Sequence, residues 1–592
     1  MTGSESMPSL DNPYRTLFQE ARPRAGQFDI QADLAAAYRV DETLRGRLVD
    51  WKAGGYRAGL MTGLAWGHYE QYLSGQWDGQ DHQDEAQCMV GAVPRLHGPG
   101  IPYMVPTESY ARYMGDLLGS AVEAGAEAIF LEEPEFWAAA RYGPAFERAW
   151  IARYGAPCPD PAADARTWNM GGELQYALYA ELIAYLSREV RSRSAGRVPC
   201  YVATHSLLNY AHNRIVTPHS ALRGIPECGG VILQVWSHTA RFRVCYEGTR
   251  GVQPLAVGYL EYGSGLDLVR GSDRRLWFLV DPVEDNAQHD WDYYRAGYEA
   301  TVAAALLHPE VCAYEVMPWP SRVFTRRFPR MPGQPEGDLI PASYAVEVLA
   351  VTNALSDMPA EPVEWDCGTA GVGVLVADSL MFRRSGPDVG DPDLSAFYGL
   401  ALPLVRVGMP VRPTGMEAMA ELGVPDSLWA LLLSYDGMTP PDPAAHAVLA
   451  DWVRAGHALL CFGHGDDPYA TAPAWWNGES GGSSPWVDLF RRLGMDETPT
   501  AGIHRVGAGL VLVEADGPIA LAQRPDGANL VRERLRSVAA QLGSTAPVYR
   551  EVPYLLLRRG RYVIAAAPGT GSESVLNLSG RFVDLFDGDL SV

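Results

Sequence analysis

The first half of the chain alternates short apolar runs with longer stretches in which apolar positions recur at helical spacing. Runs at 14–19, 56–63, 101–107, 128–133, 198–204, 230–236, 276–281 and 311–318 predict strands. Stretches at 40–52, 109–124, 174–194, 257–270 and 293–307 predict the helices between them. The first run is the least patterned, since nothing before residue 30 repeats strongly. Eight strands with helical crossovers in about 320 residues fit a (β/α)8 TIM barrel with enlarged loops. An open doubly wound sheet is the alternative; no G-x-G-x-x-G follows an early strand to support it.

Around 325–345 the pattern breaks in a Pro/Gly-rich stretch (Arg326 to Pro335), which reads as a linker. A helix at 342–355 then leads into strands at 372–376, 429–433 and 458–462, with helices at 396–407 and 444–454. Strand and helix in alternation with short loops predict a flavodoxin-like layer. Past residue 500, runs at 510–513, 554–558, 561–565 and 574–578 surround a helix at 530–542, as in a closing β layer. The Gly/Ser-rich loop 475–484 is expected to be mobile. The fold class is therefore α/β: a barrel over 1–335, a flavodoxin/glutamine-amidotransferase-like α/β domain over 336–545 and a small C-terminal β domain over 546–592.

The stretch with the most chemistry is 126–137. Its apolar core, Ala128 to Leu131, stops at Glu132, Glu133 and Glu135, bracketed by Pro134 and closed by Phe136 and Trp137. Carboxylates at the carboxyl end of a buried parallel strand sit where α/β barrels place their chemistry. Three like charges over four residues also predict that at least one carboxyl has a raised pKa, as a general acid needs. A solvated acidic turn is the plain alternative.

The other strands end in polar groups too. Trp66, His68, His82, Asp84 and Glu85 follow the second; His205 and Asn209 follow the fifth. Gln234, Trp236 and His238 end the sixth, Asp281, Glu284, Asp285 and Asn286 the seventh, and Glu315 and Trp319 the eighth. Lone histidines such as His68 and His97 read as satisfied structural groups. Asp281 also reads as a helix N-cap ahead of Pro282.

Charge and composition narrow the partners. With 48 basic and 71 acidic residues the net charge is −23, which speaks against nucleic acid or an anionic membrane. No run approaches the length of a membrane span, and the first residues carry no signal-peptide pattern, so a cytoplasmic protein is expected. The eight cysteines show no C-x-x-C spacing and read as reduced thiols; a structural zinc is not expected, nor is any other metal or cofactor. The 16 Trp and 29 Tyr cluster beside polar residues, and amphipathic rings of that kind suit sugar faces.

Glu132-Glu133-Pro134 at the end of the fourth strand, with this domain order, resembles clan A glycoside hydrolases, in particular the family 42 β-galactosidase-like architecture. The resemblance spans nearly the whole chain and implies a homo-oligomer, trimer or dimer, built through the second domain. It implies Glu133 as acid/base, with Glu132 where the clan carries Asn. The nucleophile would be Asp281 or Glu284, or Glu315 if the strand count is off by one. A glycosidase of this kind would be retaining and exo-acting on short β-linked oligosaccharides or glycosides. Glu132, Trp66, His82, Glu85, His205, Gln234, Trp236 and Trp319 are candidates for gripping or stacking on that small carbohydrate. Two alternatives stay open: a hydrolase or lyase on another polyhydroxylated substrate, metal-assisted by His82, Asp84 and Glu85, and a non-catalytic sugar-binding barrel.

Overall fold

The computed structural model describes residues 14–24, 29–284, 288–331, 337–383, 386, 390–463, 475–477, 484–569, 576 and 578–590. Eight parallel strands close a barrel: β1 (Thr16–Glu20), β2 (Leu34–Tyr38), β3 (Arg57–Gly63), β4 (Ile129–Glu132), β5 (Cys200–His205), β6 (Cys228–Val235), β7 (Arg275–Val280) and β8 (Tyr314–Glu315). Closure is made by β1 on β8, with Leu17 opposite Glu315. Every strand lies beside its sequence neighbours, the order of a TIM barrel.

Two barrel elements differ from the sequence expectation, and in the second unit Arg412–Gly415 is an added strand while 510–513 joins the parallel sheet instead of a closing β layer. The second barrel strand is Leu34–Tyr38, whose three central alanines gave no strand signal; Leu34, Ala36 and Tyr38 face the barrel interior, while Ala35 and Ala37 face the helices. The run 101–107 is not a barrel strand. Ile101–Pro102 pairs antiparallel with Leu96–Gly98 and Met104 bridges to Ala86, outside the barrel, and Pro102 and Pro106 cannot donate to a ladder. One strand missed and one added left the numbering of strands four to eight intact.

The barrel interior is filled from alternate positions. Phe130, Tyr201 and Trp277 pack ring to ring, with Phe130 5.1 Å and Trp277 5.0 Å from Tyr201, and form a floor beneath the mouth. Helix Glu108–Ala124 starts where Thr107 accepts from the Tyr110 N–H. It ends at Gly125 (φ +99°), a left-handed position that delivers the chain into β4.

The second unit holds a six-stranded sheet in the order Arg412–Gly415, Val372–Val376, Ala430–Leu433, Ala458–Phe462, Gly509–Glu514, Gly502–Val506. The first five are parallel, in the 2-1-3-4-5 order of flavodoxin-like folds; the last is antiparallel. Leu555–Arg559 pairs antiparallel with both Tyr562–Ala566 and Val363–Asp366, so this small sheet draws strands from both sides of the boundary expected at 545/546. Barrel and second unit are tied by Trp168 Nε1 donating to Phe382 O (2.8 Å) and the Tyr176 hydroxyl donating to Asp378 (2.6 Å). Most of loop 475–484 and of the run expected at 574–578, with Asp285 and Asn286, lies outside the described residues. Among the described residues no helix is long and apolar enough to cross a membrane.

Candidate active site

β4 alternates as a buried strand must: Ile129 and Leu131 pack on the helices, Phe130 and Glu132 face the interior. Continued alternation would send Glu133 outward. Instead Glu133 is in the left-handed region (φ +52°), while its N–H still pairs with Ala203 O on β5. That turn, ahead of Pro134, aims its side chain along the rim of the mouth. A non-glycine residue with positive φ is strained, and such strain persists where surrounding structure holds it. Trp319, after β8, is left-handed too (φ +59°), and its ring packs tilted against Tyr38 with centroids 4.7 Å apart.

Glu133 is gripped from both neighbouring strands. Trp66 Nε1, after β3, donates to Oε2 at 2.8 Å, and His205 Nε2, at the end of β5, stands 3.4 Å from Oε1. His97 lies flat on Trp66, ring centroids 3.5 Å apart. Burial alone would raise the Glu133 pKa, but the hydrogen bond and charge of His205, the charge of His97 and the Trp66 N–H outweigh it and hold the carboxyl below its usual range.

Its neighbours go the other way. Glu132 points into the barrel and accepts from the Tyr38 hydroxyl (2.5 Å), Gln234 Nε2 (3.0 Å) and Gln19 Nε2 (3.4 Å). Burial, then repulsion from Glu133, pushes its pKa up to about 8. Burial and the same repulsion raise Glu135 well above the carboxylate range. Glu315 is fully buried and raised too, by burial and then by the charges of Glu132 and Asp281. Asp281, after β7, pairs with buried Arg322 at 3.0 Å. Carboxyls thus run across the mouth from Glu133 through Glu132 and Glu315 to Asp281, with adjacent members close enough to shift one another.

The structure brings Trp236 to the same place, its ring 5.3 Å beneath the Arg322 guanidinium. A cleft of about 480 Å³ beside Arg322 and Ser321 adjoins a pocket of about 140 Å³ beside Tyr38 and Trp66; Trp319 and Ala21 line both. A larger cleft, about 580 Å³, lies by Arg141, Tyr142 and Cys158 and contains none of these carboxyls.

Other candidates are used elsewhere. Glu284 accepts from the His238 backbone N–H at 2.8 Å and so braces the loop after β6. His82 stacks on Tyr72 and lies between Asp78 and Glu85, 3.1 and 3.4 Å away. Glu85 accepts from Thr107 and Ser109, both at 2.6 Å, at the start of helix Glu108–Ala124. Asp84 pairs with Arg148 at 2.7 Å. The metal cluster of His82, Asp84 and Glu85 that the alternative reading required is therefore not formed; these side chains are consumed in the wall. Instead ligand atoms of Glu133, Glu135 and His205 lie within 4.8 Å of one another. Sequence reasoning missed Gln19, Tyr38, His97 and Arg322. Gln19 ends a recognised strand and was open to the strand-end argument; His97 lies in the short strand Leu96–Gly98 and Arg322 in the short helix Pro320–Thr325, neither of which carried such a signal.

No protein-family model matches the chain, and no curated protein sequence matches it. Solved structures do. A β-galactosidase from the psychrophilic Marinomonas ef1 aligns with a TM-score of 0.58 at 11% identity, covering 90% of this chain and 89% of that one. A β-galactosidase from the haloarchaeon Halorubrum lacusprofundi gives 0.53 at 12%, covering 89% of each chain. One from Rahnella sp. R3 gives 0.52 at 10%, again 89% of each. The fold resembles that of β-galactosidases. At this identity the likeness concerns the fold, and it extends across barrel and second unit alike.

Proposed function

We propose that the chain is a glycoside hydrolase whose working carboxyls are Glu133 and Asp281, from β4 and β7. The observation that carries this reading is the Glu133–His205 pair at the rim of a mouth lined by Trp66, Trp236 and Trp319. His205 and Glu133 can share a proton, which a leaving glycosidic oxygen would take. Arg322 favours the ionised form of Asp281, as a nucleophile requires. Glu315 suits that part less, because burial keeps it protonated, and Glu284 is engaged with the His238 backbone. Gln19, Gln234 and Tyr38 fix Glu132, which takes the place of the clan's Asn as the group facing a sugar hydroxyl. The substrate is a short β-linked oligosaccharide or glycoside cleaved from one end with retention, and the second unit supports a homo-oligomer.

The test is a panel of nitrophenyl glycosides assayed with wild type, Glu133→Gln and Asp281→Asn, with the anomer first released followed by proton NMR. Activity on at least one glycoside, lost by about 10²–10⁴-fold in Glu133→Gln, is expected. Turnover unchanged in both variants overturns the assignment. A first product of inverted configuration overturns retention alone.

A further inference from the structure

The geometry points to a site for one divalent first-row metal ion, Zn²⁺ or Mn²⁺, formed by Glu133, Glu135 and His205 at the rim of the barrel. The ligand set comes from two adjacent strand ends, β4 supplying the two carboxylates and β5 the imidazole. One nitrogen and two carboxylate oxygens suit borderline to hard divalent ions.

The distances fit. An ion bound at about 2.1 Å to each of two tetrahedral ligands sets them about 3.4 Å apart. His205 Nε2 and Glu133 Oε1 are 3.4 Å apart. All three ligand atoms fall within 4.8 Å, and two ligands of one ion are at most about 4.2 Å apart, so small side-chain rotations complete the site.

The surroundings are those of a ligand shell. His205 Nδ1 lies 3.1 Å from the carbonyl of Gln234, which can only accept, so the Nδ1–H is fixed there and Nε2 is turned towards Glu133. Either a proton or a metal cation between Nε2 and Oε1 satisfies both atoms, so an ion bound here would take the place of the proton that the pair shares. The second oxygen of Glu133 is oriented by Trp66 Nε1, the outer-shell bond that ligating carboxylates carry. Glu135 is buried, whereas Glu133 is partly open to the mouth, which leaves a coordination position for water or a substrate oxygen.

Binding is read directly, so its outcome is separate from whether the protein cleaves sugars. Untagged full-length protein stripped with EDTA is titrated calorimetrically with ZnCl₂ and with MnCl₂, and crystals soaked in Zn²⁺ are examined for anomalous scattering. Expected are one ion per chain, an anomalous peak between the three side chains, and affinity at least about tenfold weaker in Glu135→Gln and in His205→Ala. No binding of either ion by wild type, a peak elsewhere, or affinity unchanged in both variants overturns the site. If the variants fold poorly, the anomalous peak in wild type decides alone.

Discussion

His205 Nε2 stands 3.4 Å from Glu133 Oε1 across the β4–β5 seam, while its other ring nitrogen is committed to the carbonyl of Gln234 on β6. Three consecutive strands therefore fix one side-chain pair. The carboxyl in that pair is the one the protein holds ionised, while its neighbours Glu132 and Glu135 are driven towards their neutral forms. One barrel-strand end thus carries both protonation states side by side, the condition for acid and base work in a single pocket.

Removing the imidazole should move the titration of Glu133 upward. His205 contributes a hydrogen bond and a charge that both favour the carboxylate. In His205→Gln the limb of the pH–rate profile set by Glu133 is expected to shift to higher pH. The sign holds whether Glu133 acts as acid or as base. An unmoved limb would show that His205 does not control Glu133.

Much of this was legible in the chain. Apolar runs of strand length between helical periods foretold every barrel strand but β2, and Glu132-Glu133-Pro134-Glu135 marked the candidate site because a buried strand seldom ends in carboxylates. Leu34–Tyr38 escaped because alanine carries little β preference; burial on both faces, a tertiary effect, makes it a strand. The run at 101–107 misled because its apolar residues satisfy the pattern while its prolines forbid the pairing. His82 and Glu85 were misassigned for a different reason. A polar residue after a strand can turn to the mouth or to the wall, and the choice depends on partners such as Thr107 and Ser109.

The Arg322–Asp281 pair predicts a stability effect distinct from catalysis. Both groups are buried, so Arg322→Met leaves a carboxylate without its countercharge and is expected to cost about 3–5 kcal/mol. Arg322→Met/Asp281→Asn should recover most of that loss, because no buried charge remains. Urea unfolding followed by tryptophan fluorescence gives both values, and equal destabilisation in single and double variants would contradict the pairing.

Trp66 tests the grip on Glu133 from the other side. Trp66→Phe removes the N–H that donates to Oε2 at 2.8 Å while keeping a ring for His97 to stack on. A hydrogen bond to a charged group contributes about 1.5–3 kcal/mol, so kcat/KM on the best glycoside should fall by roughly 10- to 100-fold with the melting temperature little changed. A large melting shift without a kinetic one would make Trp66 a packing residue only.

Glu132 predicts how stability depends on pH. Its folded pKa of about 8 lies above the ordinary 4.5 of an unfolded glutamate, so folding favours the protonated form. The stabilisation is complete below about pH 4.5 and is lost as pH rises through about 8, where the buried carboxyl must ionise beside Glu133. Glu132→Gln cannot ionise and should not show this loss. The melting temperature of wild type relative to Glu132→Gln is therefore expected to fall by a few degrees between pH 5 and pH 9, at about 1 °C per kcal/mol for a chain of this length. Parallel melting curves across that range would mean that the donors from Tyr38, Gln19 and Gln234 keep Glu132 ionised.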